Sequence, residues 1–406
     1  MAIFDSLIVG AGITGAVIAE QLANRLGQRV MLIDRRTHLG GLCHDYHNEA
    51  GVLVHPHGLH LLHTPHQRVW DYLQAFGEWH PYKASTLAVV NGKRIPVPFN
   101  LNSLHILLPE AEAERLERKL IARFGADRRF EILLLSRSGD PELESLADFI
   151  RDKIFHAHPS GRAGVFSHDL SPELGYQVPI STSRDNHRYN APYQGLPAKK
   201  GYAGLFKHLL KHRHIHYLLQ TEASDILALD ETCGVIRLMD EPFAGNLFYT
   251  GRLDELFGLC HGELGFRTLM FEFETYDRPY FQEPDTMLYY GDKYFTKITE
   301  FKRATGQELA ITTILREYPQ AYDRQNPHAN EPYYPVASAE SPQRLERYRQ
   351  LARGFPQLYP LGHLADHSFY SMGESIHRAL QLVDRMVLSE VPPVKSAKIG
   401  LDLRGK

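Results

Sequence analysis

The chain has 406 residues, of which 43% are hydrophobic, so it can bury a large core and divide into two or three domains. Its 45 Lys and Arg against 48 Asp and Glu give a net charge of −3, which excludes a global attraction to nucleic acid or to an anionic membrane. Three scattered cysteines exclude a disulfide framework and a structural zinc site, and the N-terminal segment lacks the features of a signal peptide or a membrane span. We therefore expect a cytoplasmic protein without membrane insertion.

The first predicted elements form a strand, turn, helix and strand that are typical of dinucleotide binding. The apolar strand Leu7–Val9 leads into GAGITG, in which Gly10, Gly12 and Gly15 fit the G-x-G-x-x-G pattern at the start of a helix. A second strand, RVMLID, ends at Asp34, at the spacing where a carboxylate meets a ribose hydroxyl. Glycines let the backbone approach a pyrophosphate, and a helix N-terminus offers it unpaired N–H groups.

The next segment, DRRTHLGG, indicates which dinucleotide is bound. Arg35 and Arg36 follow the acid directly, and Gly40 and Gly41 add a second glycine turn. Such a turn at this place is typical of FAD enzymes rather than of nicotinamide dehydrogenases. The alternative is a polar surface turn after an edge strand, which accounts for Arg36 but less readily for the paired glycines.

Four histidines then follow within the short segment VLVHPHGLHLLHT. They are His55, His57, His60 and His63, and Gly58 interrupts any continuous helix between them. A zinc site would also need a distant fourth ligand, which nothing in the sequence nominates. We therefore predict no metal here, and for His55 a packed, buried side chain is a further alternative.

Two later stretches have contrasting patterns. SLHILLPEAEAERLERKLIARFG and DPELESLADFIRDKIFH repeat apolar residues at helical spacing between charged faces, which predicts helices. TLMFEFETY and ELAITTILREY are rich in Tyr, Phe and Thr, which favours antiparallel strands.

Motifs along nearly the whole chain resemble the flavin-dependent UDP-galactopyranose mutases. HPHGLHLLHT, PVPFNLNSL, YQGLPAKKGYAGLF, YTGRLDELFG, EPYYPV and SMGESIHRALQ occur in the order found in that family. The resemblance implies an α/β fold in which residues 1–80, 195–250 and 337–406 form a discontinuous, Rossmann-like FAD-binding domain. Residues 101–175 would be a helical insertion, and residues 81–100, 176–194 and 251–336 an antiparallel substrate domain.

The resemblance also implies an isomerase that interconverts the pyranose and furanose forms of a nucleotide sugar. Atom N5 of the reduced FAD would displace the nucleoside diphosphate at the anomeric carbon and form a covalent sugar adduct. The sugar ring would then open and reclose through another hydroxyl, and the returning diphosphate would displace the flavin from the anomeric carbon. Such an enzyme needs a flavin site, an aromatic sugar pocket and cations for the departing diphosphate. The expected partner is a nucleotide sugar and not nucleic acid, and a homodimer stays open.

Site residues follow from the matching motifs. His63 matches the family histidine beside the reactive flavin atom, and His60 matches its partner and also lines the sugar pocket. Asn100, Tyr193, Tyr318 and the pair Tyr333 and Tyr334 match substrate contacts, Tyr318 with a catalytic role. The further cofactor contacts implied by the motifs, besides Gly10, Gly12, Gly15, Asp34, Arg35, Gly40 and Gly41, are Ile13, Thr14, Leu42, Gly58, Ala223, Thr250, Gly251, Gly362, His363, Ser371 and Met372.

The expected diphosphate clamp departs from the family pattern. Ser181 stands where the family has one arginine, and Lys297 in FTKITEFK replaces a second, which keeps the charge but loses the bidentate fork. Arg184 and Arg188 are close enough along the chain to substitute for the missing cation. The alternative for both is an exposed loop charge.

The sugar pocket departs from the pattern as well. Phe369 replaces a tyrosine, Ser371 an aspartate and His363 an arginine, while the tryptophan segment of the family has no counterpart near Arg162 and Ser167. Removal of one hydroxyl or cation from a buried polar site changes affinity by around 1 to 3 kcal/mol, so we expect a different nucleotide or sugar preference. Two alternatives are a flavin oxidoreductase of the amine-oxidase type and a scaffold that kept FAD binding but lost mutase activity.

Overall fold

The computed structural model describes residues 4–155, 179–281, 287–290, 295–326, 329–336 and 340–390. The predicted tryptophan-segment positions, Arg162 and Ser167, lie outside these residues. The strands are β1 Ser6–Val9, β2 Val30–Ile33, β3 Tyr46–His47, β4 Leu53–Val54, β5 Leu62–Thr64, β6 Trp79–Pro81, β7 Thr86–Val90, β8 Lys93–Pro96, β9 Arg129–Glu131, β10 Pro179–Ser181, β11 Tyr193–Pro197, β12 Ile215–Leu218, β13 Leu227–Asp230, β14 Val235–Leu238, β15 Glu241–Pro242, β16 Asn246–Tyr249, β17 Phe266–Tyr276, β18 Met287–Tyr290, β19 Lys297–Glu300, β20 Thr312–Ala321, β21 Tyr334–Pro335 and β22 Leu358–Pro360.

The α-helices among the described residues vary in length from single turns to more than five turns. They are α1 Ile13–Arg25, α2 Gln67–Gln74, α3 Leu101–Leu107, α4 Glu110–Phe124, α5 Ile132–Ser136, α6 Pro141–Ile150, α7 Gly201–Leu209, α8 Ala223–Ile226, α9 Leu253–Leu256, α10 Phe301–Thr305, α11 Ser341–Arg353 and α12 Met372–Glu390. A search of the described residues finds no helix that is both long and apolar enough to cross a lipid bilayer.

A parallel five-stranded sheet carries the dinucleotide motif. Its strand order is β12-β2-β1-β16-β22, so it collects strands from three distant parts of the chain. The apolar runs of β1 and β2 are largely buried, as expected for a sheet covered on both faces, and α1 and α12 pack together in the core on one side. Because parallel strands end at one edge, the residues that follow β1, β2 and β16 lie side by side there.

A second, mostly antiparallel sheet faces this edge. It has seven strands in the order β21-β17-β20-β19-β18-β7-β8 and is drawn from residues 86–96 and 266–335. Its long central pair, β17 and β20, runs in register from Arg267 opposite Ala321 to Tyr276 opposite Thr312. The next pair places Lys297 of β19 directly opposite Glu317 of β20.

Helices α3 to α6 form a separate layer with its own apolar core, in which Leu104, Leu116 and Leu146 are buried. Strand β10 pairs with β9, between α4 and α5, so residues 179–181 pack with this helical layer rather than as a strand of the large sheet. The assignment of residues 176–194 to the sheet domain stays a prediction, although strand β10 itself forms a two-stranded sheet with β9. Single bridges, Phe99 to Ile180 and Ser85 to His187, connect the segment to residues beside β8 and β7.

Candidate active site

A cavity of about 740 Å³ lies between the carboxyl edge of the parallel sheet and the large antiparallel sheet. One end is lined by the two glycine turns and the other by histidine, tyrosine, arginine and lysine side chains. The predicted site residues that line it are Gly10, Gly12, Ile13, Thr14, Asp34, Arg35, Gly40, Gly41, Leu42, Gly58, His60, His63, Arg188, Ala223, Thr250, Gly251, Lys297, Tyr333, Tyr334, Gly362, His363, Phe369, Ser371 and Met372.

The glycine turn after β1 fits a pyrophosphate. Gly10 has φ +104°, and a Cβ there would lie 2.0 Å from Thr250 Oγ1, so only glycine is accommodated. At Gly12 a Cβ would meet nothing within 4 Å, which shows that this backbone borders open cavity. Gly12 is also the N-cap of α1, whose first turn contains no acidic residue, so its N–H groups present a positive end to the cavity. Gly15 lies behind the turn, where a Cβ would contact the Gly10 carbonyl oxygen at 2.0 Å.

The acid after β2 is held beside this turn. Asp34 is 5% exposed and accepts hydrogen bonds from the Ala11 N–H at 2.7 Å and the Arg36 N–H at 2.8 Å. Arg36 also lines the cavity, and its guanidinium donates to Glu331 at 2.6 Å. Its buried Nε has no hydrogen-bond partner among the described residues, so it can donate to a bound group. The surface-turn alternative is therefore wrong for Arg36.

The histidine loop divides between core and cavity. His55 is fully buried and stacks on Phe301 with ring centroids 5.7 Å apart, so it takes the packing alternative. His57, His60 and His63 line the cavity, and the Nδ1 atom of His57 lies 2.7 Å from the Tyr333 hydroxyl. Burial lowers the pKa of His57 to about 3 and also lowers that of His60, so these imidazoles are neutral at pH 7.

Strand pairing fixes the backbone of His63, and an aromatic ring stacks on its imidazole. Its backbone pairs with Gln194 of β11, and its imidazole stacks on Tyr189 with centroids 3.8 Å apart and planes 9° apart. Arg188 lies 5.4 Å from the centre of the Tyr189 ring. Burial, aided by the Arg188 charge, lowers the pKa of His63 to about 4. The loop from 188 to 189 thus brings a cation and an aromatic face to the predicted flavin histidine.

The cavity also contains an ion pair between Lys297 and Glu317. Lys297 Nζ lies 2.7 Å from Glu317 Oε1, and the two side chains are only 13% and 6% exposed. Tyr318, the next residue along β20, points to the opposite face because side chains alternate along a strand. Its hydroxyl donates to Glu272 at 2.5 Å, and it does not line the cavity. The structure thus brings Glu317, and not the predicted Tyr318, to the cavity.

Two predicted residues of the diphosphate clamp lie elsewhere. Arg184 is 53% exposed and donates to Glu117 at 2.9 Å, so it takes the alternative of a surface charge. Ser181 is 6% exposed within β10, and its hydroxyl lies 3.0 Å from the Ser183 hydroxyl. Neither residue lines the cavity, because their segment packs on the helical layer.

Two predicted substrate contacts have structural roles instead. Asn100 is 1% exposed, caps the N-terminus of α3 by accepting from the Ser103 N–H at 3.0 Å, and donates to Asn186. Tyr193 stacks on Trp70 with centroids 5.9 Å apart. Both lie outside the cavity lining, so the prediction of direct substrate contact is not supported for them.

The sequence predictions gave no role to several residues that line the cavity, among them Tyr189 and Glu317. The alternation of β20 offered a signal for Glu317, because a lysine on one strand and a glutamate on its neighbour predict a cross-strand pair. Nothing local in the loop sequence distinguishes Tyr189 from its neighbours.

Comparisons with known proteins match the sequence and the fold of this chain. A family model described as UDP-galactopyranose mutase matches residues 154–369, and one described as an NAD(P)-binding Rossmann-like domain matches residues 8–76. The chain is 29% identical to UDP-galactopyranose mutase of Mycoplasma pneumoniae, over 95% of this chain and 96% of the relative. It is 28% identical to dTDP-fucopyranose mutase of Escherichia coli, over 92% and 96% of the two chains. The crystal structure of a reduced UDP-galactopyranose mutase shares the fold with TM-score 0.69 and 14% identity, over 96% and 95% of the chains.

Proposed function

The chain belongs to the UDP-galactopyranose mutase family, and on this basis we propose that it is an FAD-dependent isomerase that interconverts the pyranose and furanose forms of a nucleotide-linked hexose. The observation that carries the proposal is the continuity of one cavity from the glycine turn at Gly12 to the cations Arg188 and Lys297. A dinucleotide at the glycine end and a sugar diphosphate at the cationic end would share one enclosed space.

The dinucleotide end would hold FAD through backbone and charge. The first-turn N–H groups of α1 and the Arg36 guanidinium would bind the pyrophosphate, and Asp34 would accept from the adenosine ribose. Reduced FAD supplies the nucleophile for the sugar, so no side chain of the protein has to act as one.

The other end would bind the departing diphosphate. Arg188 and Lys297 both line the cavity, whereas Arg184 does not, so the clamp would consist of one guanidinium and one ammonium. Preorganised cations stabilise charge that develops on a leaving group because they need no reorganisation as the bond breaks. Neutral His63, stacked on Tyr189, would form one wall of the sugar pocket and can exchange hydrogen bonds with a sugar hydroxyl.

The substrate is proposed to differ from UDP-galactose. Phe369 offers no hydroxyl to the cavity, and Ser181, where the family has an arginine, lies outside it. One matching relative is named a dTDP-fucopyranose mutase, so the family includes members with another base and another sugar. We propose a nucleoside diphosphate hexose whose recognition depends less on phosphate contacts, with thymidine and uridine derivatives as the first candidates.

The test is turnover by dithionite-reduced protein with UDP-galactopyranose and a panel of dTDP-hexoses, followed by chromatography of both ring forms. A mutase forms product without net consumption of reductant. Product formed one to one with consumption of NAD(P)H or oxygen would instead support the oxidoreductase alternative. Bound FAD without turnover on any member of the panel would support the scaffold alternative.

The matched control is a pair of single variants. Lys297→Ala should depress kcat strongly if the ammonium acts mainly in the transition state, and should raise KM if it binds ground and transition states equally. Arg184→Ala removes an equal charge from the surface and should leave both constants unchanged. Equal effects of the two variants would contradict the assignment of the diphosphate to Lys297.

A further inference from the structure

A basic segment, residues 207–218 with the sequence KHLLKHRHIHYL, lies apart from the cavity. It spans the end of α7, the following turn and edge strand β12. It contains three Lys and Arg, four His and no acidic residue, although the whole chain has a net charge of −3. Any attraction of this protein to an anionic surface must therefore be local, and this segment is a local source of it.

The fixed cations of the basic segment face solvent. Lys207, Lys211 and Arg213 are exposed, and no described residue forms an ion pair with any of them. Leu209 and Ile215 are buried between them and anchor the segment in the core of the parallel-sheet unit. The backbone that carries these cations is therefore packed against the hydrophobic core.

Two exposed apolar side chains follow the cations along the chain, on strand β12. Tyr217 is 47% exposed and Leu218 is 51% exposed, on the strand that forms one edge of the parallel sheet. Large apolar groups beside cations suit the boundary between lipid head groups and acyl chains, where tyrosine and leucine insert shallowly while lysine and arginine stay at the phosphates.

The basic side chains lie away from the proposed active site. Lys207 to Arg213 precede β12 and so lie at the amino end of the parallel sheet, whereas the cavity is at its carboxyl end, where the Asp34 N–H donates to Leu218. Contacts of Lys207, Lys211 and Arg213 with a surface would therefore be made at the end of the sheet opposite the cavity.

We propose that the basic segment docks the protein on anionic phospholipid head groups. Three fixed cations with adjacent apolar side chains form a short patch, which suits a lipid surface better than the longer track of phosphate contacts that gives nucleic acids their affinity. Each Lys or Arg near an anionic leaflet raises affinity by about fivefold, so three give on the order of a hundredfold. The binding is reversible and salt-sensitive.

The experiment is flotation of the full chain, loaded with FAD, with two kinds of vesicle. One kind is phosphatidylcholine alone, and the other contains about 40% phosphatidylglycerol, which gives the vesicle a strongly negative surface potential. The combined variant Lys207→Glu, Lys211→Glu, Arg213→Glu loses three attractive charges and gains three repulsive ones, so its apparent affinity for anionic vesicles should fall by at least about a hundredfold. A control that reverses three other exposed cations, Lys83, Arg118 and Arg353, makes the same change in net charge and should still bind.

A second variant tests the apolar part. Tyr217→Ser with Leu218→Ser should weaken binding to anionic vesicles by several-fold without altering its dependence on salt. Three results would overturn the proposal: no capture of the unaltered protein by anionic vesicles, equal capture of the triple variant, or stronger binding to a single-stranded RNA than to the vesicles. FAD content and thermal stability, measured on every variant, show that the fold and the cofactor site are intact, so the outcome is independent of the proposed isomerase activity.

Discussion

Replacement of Glu317 by glutamine would show whether the cavity binds a diphosphate through Lys297. The carboxylate lies 2.7 Å from the ammonium and neutralises it. Glutamine has nearly the same shape, and its side-chain oxygen can still accept from Lys297 Nζ, so the lysine stays in place while the negative charge is lost. A diphosphate beside Lys297 would then meet an uncompensated cation and no carboxylate.

The magnitude follows from the geometry of the pair. A phosphate oxygen that contacts Nζ on its open side would lie roughly 5 Å from the Glu317 carboxylate, and one unit charge at that distance repels another by about 3 kcal/mol at an effective dielectric constant of 20. Water in the open cavity screens part of this, so we expect about 1 to 3 kcal/mol, which is a gain of roughly 5- to 150-fold in affinity. The same change leaves a largely buried lysine without a charged partner, so the melting temperature should fall.

The assay is calorimetric titration of UDP and dTDP into the oxidised protein. Glu317→Gln should bind the better nucleotide more tightly, and Tyr318→Phe, on the opposite face of β20 beside Glu272, is the matched control and should bind it unchanged. Unchanged or weaker nucleotide binding by a folded Glu317→Gln protein with full FAD content would refute the placement of the diphosphate at Lys297.

Other tests address the cofactor, the clamp and the histidines. Gly12→Val directs a side chain into the open cavity beside the glycine turn and should abolish FAD retention, measured as absorbance near 450 nm, while the apoprotein still unfolds cooperatively. Arg188→Ala should lower kcat with the best substrate by about 100-fold, as removal of one preorganised charge does, and unchanged kinetics would remove Arg188 from the clamp. The free energy of unfolding, measured by denaturant titration, should fall as pH is lowered from 6.5 towards 4. Several histidines have a lowered pKa in the folded protein, so over this range the unfolded chain binds more protons than the folded one. Asp45, whose pKa burial raises to about 6, opposes this trend between about pH 6 and 3.8. The histidines with pKa values lowered to about 3 or 4 are His44, His55, His57, His63 and His363.

The cofactor end of the cavity was predictable because its signals are local. A strand, two glycine turns and an acid follow one another within about forty residues, and backbone geometry alone brings Gly10, Gly12 and Asp34 to one sheet edge. Arg36 is ambiguous in the sequence because a charged residue after a strand looks the same in a surface turn. What places it in the cavity is Glu331, almost three hundred residues later, and no local pattern contains that contact.

The substrate end was less predictable because small offsets decide it. Along β20 a shift of one residue exchanges the cavity face for the outer face, so a motif match that is one residue out of step cannot separate Glu317, which lines the cavity, from Tyr318, which does not. In the loop from 181 to 190 there is no periodicity to separate Arg184 from Arg188. Their positions depend on packing against the helical layer, where Glu117 of α4 holds Arg184.

Position 181, where the family has an arginine, is packed against the helical layer and has little room for a charged side chain. Ser181 is in the short strand β10, opposite Arg129 of β9, and its hydroxyl bonds within the same turn to Ser183. An arginine there would have to bury a guanidinium against the helical layer or force the strand apart, at a cost of several kcal/mol for an uncompensated charge. Adding the cation back at 181 would therefore disturb packing before it reached the cavity. Arg188 lines the cavity from the same loop without this cost, which supports the proposal of a diphosphate clamp formed by Arg188 and Lys297.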